Sequence, residues 1–221
     1  MTTTHHAISH HGDDATLMSY AAGTLPEALS AVVASHVSVC TRCRKEVAAM
    51  NRLGAVLLGD LPAAATTSVP RTPAADVVRT DEGDHVLAAI ERAGDIPAPL
   101  SRLVGSDLSS IQWKRLGLGV WHVPLPLSPA AKGDLRLIKV APGQAMPEHG
   151  HGGSELSLIL AGSYTDSLGR FGPGDLADLD GDIEHKPMAD RVTGCICVIA
   201  SEEPARFKGL FARLVQPFIG L

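Results

Sequence analysis

Aromatic residues are scarce in this 221-residue chain, at 4% of the total. Its core must be filled by aliphatic side chains, and a hydrophobic content of 45% supplies them. A basic excess is missing too: 19 Lys and Arg stand against 24 Asp and Glu, a net charge of −5. That argues against a general nucleic-acid binder, because phosphate contacts need surplus Lys and Arg. Residues 1–60 alone carry five acidic and four basic side chains, so no direct nucleic-acid contact is expected there. No apolar run approaches the roughly 18 residues of a membrane span. The opening "MTTTHHAISHHGDD" lacks the basic-then-apolar order of a secretory signal. A cytoplasmic protein without membrane contact is the expectation. Cysteines number only four, and in that compartment they are more often thiols or metal ligands than disulfides.

Two grammars are present. The first half is Ala-rich and helical in pattern. "DDATLMSYAAGTL" opens on Asp13 and Asp14, good N-cap residues, and Gly23 can close the helix. "LPEALSAVVASHVSVC" places Leu29, Val32, Val33 and His36 at helical spacing. "CRKEVAAMNRLGAVLLGD" reads as a third helix. Residues 61–76, "LPAAATTSVPRTPAAD", have no apolar period and read as a flexible linker. A fourth helix is expected at about 81–93, within a segment, 76–95, that holds six acidic residues and two Arg. From about Pro97 onward, short apolar runs alternate with Gly and Pro turns, which predicts an antiparallel sandwich or barrel.

"SHVSVCTRCRK" contains H-x3-C-x2-C, formed by His36, Cys40 and Cys43. Positions i and i+4 of a helix share a face, so these donors can converge on a tetrahedral Zn²⁺. A fourth ligand must come from upstream. His11, just ahead of the first helix, is preferred, with His10 as its rival; His5 and His6 fit a tail better. Two thiolates and two imidazoles would neutralise the dication. They would also lend folding energy to a small helical unit. This arrangement, with "SYAAGTL" between the ligands, resembles the zinc-containing anti-sigma domain. The resemblance assigns the fourth ligand to His11. It implies a protein partner, a sigma factor of the extracytoplasmic-function group, whose binding would involve the helix at 81–93.

A second constellation lies in "GQAMPEHGHGGSELSLILAG", which is G-x5-H-x-H-x3-E-x6-G from Gly143 to Gly162. His149 and His151 alternate along a strand and can reach one interior point, and Glu155 returns on the next strand. His185, eleven residues after Gly174, is placed to be the fourth donor. The pattern resembles the metal-binding double motif of cupins. The first motif matches at every fixed position. In the second, Asp180 and Asp182 stand where Pro and Gly are usual. The resemblance favours zinc here, so two Zn²⁺ per chain are expected.

Together these features resemble the ChrR-type anti-sigma factors. The fold class expected is multidomain α and β. Residues 1–95 form an all-α zinc-bound helical domain, and 96–221 form a cupin, an antiparallel β jelly-roll barrel. The resemblance implies an anti-sigma factor that holds its sigma factor inactive in a one-to-one heterodimer. It releases the partner on an oxidative signal such as singlet oxygen, sensed through the cupin. No catalytic residues are expected. The alternative is a metal-dependent cupin enzyme, a dioxygenase or isomerase, with a structural zinc domain. Cys195 and Cys197 face one side of an apolar strand. They read as small core residues, with a redox pair near the cupin metal as the sharper reading.

Overall fold

The computed structural model describes residues 7–59, 95–150, 152–203 and 206–207. The expected linker at 61–76 and the expected helix at about 81–93 lie outside the described residues.

Three helices open the chain: α1 (Asp14–Ala21), α2 (Glu27–Val39) and α3 (Thr41–Gly59). Asp13 caps α1 by accepting the Thr16 amide at 2.6 Å. After α1, Gly23 turns the chain with φ +70°. α2 starts behind Pro26 and buries Leu29, Val32, Val33 and His36 on one stripe. The boundary between the second and third helices falls at the cysteines, where the sequence pattern has the two segments meet. Cys40 is extended, at φ −98° and ψ 108°. Its amide still donates to the His36 carbonyl at 2.7 Å, and its own carbonyl accepts from the Arg44 amide at 3.1 Å. Cys40 thus ends one helix and begins the next. The Arg44 guanidinium closes the corner by donating to the carbonyls of Val37 and Ser38, a favourable place for a cation.

A further helix, α4 (Ala98–Val104), was not foreseen. It is short, follows Pro97 and ends at Gly105 with φ +85°. Its buried Leu100 packs in the same cluster as α2.

The strands follow: β1 (Lys114–Gly117), β2 (Val120–Pro124), β3 (Asp134–Val140), β4 (His149–Gly150), β5 (Glu155–Gly162), β6 (Tyr164–Asp166), β7 (Gly169–Phe171), β8 (Leu176–Leu179), β9 (Met188–Ala189), β10 (Cys195–Ser201) and β11 (Arg206–Phe207). The large sheet has the order β1-β2-β3-β10-β5-β8, and smaller sheets β7-β6-β9 and β11-β4 complete the barrel. Every pairing is antiparallel. Gly162 ends β5 at φ +69°, where an added Cβ would lie 2.1 Å from the Gly194 carbonyl oxygen. Only glycine fits there.

Period-two alternation splits the large sheet into two buried faces. On β5, Leu156 and Leu158 point to the helices, and Ile159 points into the barrel. On β10, Val198 and Ala200 meet the helices, while Cys195 and Cys197 face the barrel. The helical face packs against Leu17, Leu29, Val32 and Val33 in one continuous cluster. Burial on both faces explains why "LRLIKV", "ELSLIL" and "CICVIA" read as nearly unbroken apolar runs.

Candidate metal centres

The first cluster sits where the helices meet the barrel. His11, His36, Cys40 and Cys43 each offer one ligand atom, all within 4.8 Å of one another. His36 Nε2 lies 3.3 Å from Cys43 Sγ. His11 Nδ1 lies 3.4 Å from Cys40 Sγ and 3.5 Å from Cys43 Sγ. Metal–ligand bonds of about 2.0–2.3 Å give a tetrahedron with edges of roughly 3.3–3.8 Å, so these separations suit one ion. The His36 ring is fixed by its other nitrogen, Nδ1, which donates to the Gly174 carbonyl at 2.9 Å. A ligating histidine held by a backbone carbonyl is the usual orienting device. Three of the four residues are fully buried.

Burial pushes the His36 imidazole down to about 4, which keeps its ring neutral and able to ligate. Burial, and then the neighbouring Cys40, push the Cys43 thiol up to about 12. Two thiolates in this pocket therefore call for a cation, and a bound dication reverses the balance.

His10 is turned away from the cluster. Its ring lies 4.1 Å, centroid to centroid, from Phe171 and 3.4 Å from the Asp175 carboxylate.

The second cluster lies inside the barrel, where His149, Glu155 and His185 are all buried with donor atoms within 4.8 Å. His149 Nε2 and His185 Nε2 approach to 3.2 Å. Their backbones form a bridge, each amide donating to the other's carbonyl. Both outer nitrogens are held: His149 Nδ1 donates to the Pro147 carbonyl at 2.8 Å, and His185 Nδ1 to Asp166 at 2.9 Å. Both Nε2 atoms are left facing one point beside the Glu155 carboxylate. His151, the remaining expected ligand, lies outside the described residues. Imidazole and carboxylate donors suit several first-row metals. Both clusters can hold a metal ion.

Residues 102–204 match the ChrR cupin-like domain family. The whole chain is 41% identical over 212 residues to the anti-sigma-E factor ChrR of Cereibacter sphaeroides, covering 96% of this chain and 98% of that protein. The chain belongs to the ChrR family of anti-sigma factors. A crystal structure of Rhodobacter sphaeroides SigE in complex with the anti-sigma ChrR is similar across 88% of this chain and 100% of the compared chain. The TM-score is 0.71 and the identity 38%.

In this ChrR-family chain the expected order, helices followed by a cupin-like antiparallel barrel, is the observed one. Among the described residues no helix is long and apolar enough to cross a membrane. The residues that orient the donors were not foreseen. Asp166 reaches His185 across 19 positions and Gly174 reaches His36 across 138. Neither partner carries a local sequence signal. Cys195 and Cys197 are buried in the barrel-facing row. A hydrogen bond with Cys195 that favours the protonated thiol, followed by burial, pushes the Cys197 thiol well up. A protonated, enclosed thiol is a poor nucleophile, which fits two small core residues.

Proposed function

We propose that this protein is an anti-sigma factor that binds an extracytoplasmic-function sigma factor one-to-one and holds it inactive. Residues 1–95 form the sigma-binding module, and 96–221 form the cupin that governs release. Zinc is the metal at His11, His36, Cys40 and Cys43. Two thiolates with two imidazoles match its softness and tetrahedral preference. The closed four-donor cluster, in a chain alignable over 96% of its length with an anti-sigma factor, is the observation that carries this reading. The metal would fix the corner between α2 and α3, so that α3 presents a rigid face. Leu53, Val56, Leu57 and Leu58 on α3 are 58–70% exposed, an apolar surface suited to a protein partner.

In the barrel, His149, His151, Glu155 and His185 would hold the second zinc. Their first task is to bind and orient that ion. Asp166 and the Pro147 carbonyl keep both described imidazoles in the ligating tautomer. The inducing signal fits an oxidant such as singlet oxygen acting at the barrel.

Co-expression with an extracytoplasmic-function sigma factor from the same organism tests the proposal. A one-to-one complex with about two metals per chain is expected, since each cluster has the donors for one ion. Recovery of the metal-loaded chain free of sigma factor would overturn it.

A further inference from the structure

The barrel reaches into the helical metal cluster through one short turn. Asp175, fully buried, accepts the amides of Ser9 at 2.7 Å and His10 at 3.0 Å, and its second oxygen accepts the Gly172 amide at 2.8 Å. The Leu176 amide donates to the His10 carbonyl at 3.2 Å. The His10 ring lies on Phe171, whose other neighbour is Tyr164, stacked at 4.9 Å. Residues 9–10 are thus clasped by the turn, which delivers the next residue, His11, to the metal cluster. The same turn holds His36 through the Gly174 carbonyl. Two of the four donors are therefore positioned by the barrel. At its other end, the hairpin that leads into this turn carries Asp166, the carboxylate that orients His185.

We infer that Asp175 is a positioning residue for the helical metal site, and that the segment 164–176 couples the two metal centres. The clasp decides which of two adjacent histidines serves as ligand: His10 is committed to Phe171 and Asp175, and His11 is free to face the cysteines. Loosening of His185 frees Asp166, relaxes the hairpin and weakens the hold on His11. This inference rests on the metal assignments proposed above.

A mutant cycle on the full chain tests it. Cobalt(II) is the probe, because thiolate-to-cobalt absorption arises only at the site with cysteines. Its decay in excess chelator gives the rate of metal loss from that site alone. In the wild-type background His185→Ala is expected to speed the loss roughly fivefold or more, the low end for coupled sites. Asp175→Ala raises the basal rate, and His185→Ala then adds less than about twofold, because the connection is already cut. Asp175→Asn, which retains an oxygen acceptor, restores part of the coupling. Equal acceleration by His185→Ala in both backgrounds, or none in the wild type, overturns the inference. If Asp175→Ala loses its helical circular dichroism, Asp175→Asn gives the decision: it keeps the side-chain volume but replaces one of the two accepting oxygens by an NH2 group, and acceleration by His185→Ala in that background as large as in the wild type overturns the inference. Wild-type protein that shows no thiolate-to-cobalt absorption overturns the metal assignment itself, a result distinct from failure of the coupling.

Discussion

Leu158 and Ile159 are adjacent on β5, both essentially inaccessible, and they point into different cores. Leu158→Ala removes three carbons from the face shared with α1 and α2. At about 0.8 kcal/mol per buried carbon the transfer loss is about 2.4 kcal/mol. The cavity left behind places the cost within the range of roughly 2–5 kcal/mol seen for such truncations. With a urea dependence of about 2 kcal/mol per molar, the midpoint should fall by about 1 M or more. Two probes separate the halves: far-ultraviolet circular dichroism is dominated by the helices, and both tryptophans belong to the strand half of the chain, Trp121 on β2 and Trp113 just ahead of β1. With zinc held saturating, the two transitions should coincide in the wild type and move together in Leu158→Ala. Ile159→Val, in the barrel interior, should cost only about 0.5–1.5 kcal/mol. If the fluorescence transition moves in Leu158→Ala while the helical signal stays put, the helices and the sheet do not share a core.

Cys43→Ser should lower the metal content by one ion per chain at most and abolish sigma capture, read by co-purification and metal analysis; capture at full strength would remove the metal from the binding mechanism. Asp166→Asn should weaken metal binding in the barrel by about 10- to 100-fold, the usual cost of losing an orienting partner, measured by competition with a chelator of known affinity. Asp13→Ala should cost about 1 kcal/mol through loss of the cap on α1, a small fall in melting temperature that leaves metal content unchanged.

The first three helices and the main strands were legible because their signals are local. Asp13 caps α1 as its side-chain chemistry predicts, and Leu29, Val32 and Val33 mark the buried stripe of α2. Three of the four expected barrel donors fall in one cluster, because a strand's alternation and a two-glycine turn fix where His149 and Glu155 can point. What could not be read is set by tertiary packing. The boundary at the cysteines was legible, but not the contact that closes it, the Arg44 guanidinium on the carbonyls of Val37 and Ser38. α4 is too short to show a period, and it is held by the burial of Ile96 and Leu100. The apolar runs read as short strands of a sandwich or barrel, yet gave no hint that one face of the large sheet would be covered by α1 and α2. In sequence His11 is preferred to His10 for its place ahead of the first helix and by the resemblance; the contacts that turn His10 aside, Phe171 and the Asp175 carboxylate 165 positions away, left no mark in the sequence.

This packing limits how a signal can travel. The stripe that docks α2 on the sheet, Leu29, Val32 and Val33, runs on into His36, so docking and a candidate metal donor occupy one face of one helix. Swinging the helices off the barrel would expose Leu17 and those three side chains. At about 1.5–3 kcal/mol each, that costs roughly 6–12 kcal/mol, comparable to the whole stability of a typical domain. An event at one buried metal site cannot supply such a sum unless another surface replaces the sheet. A small displacement of the turn at 172–176 needs no such opening. It touches the His11 segment and His36 directly, and it leaves the apolar contact closed. In this arrangement the lower-cost route from barrel to helices runs through that turn.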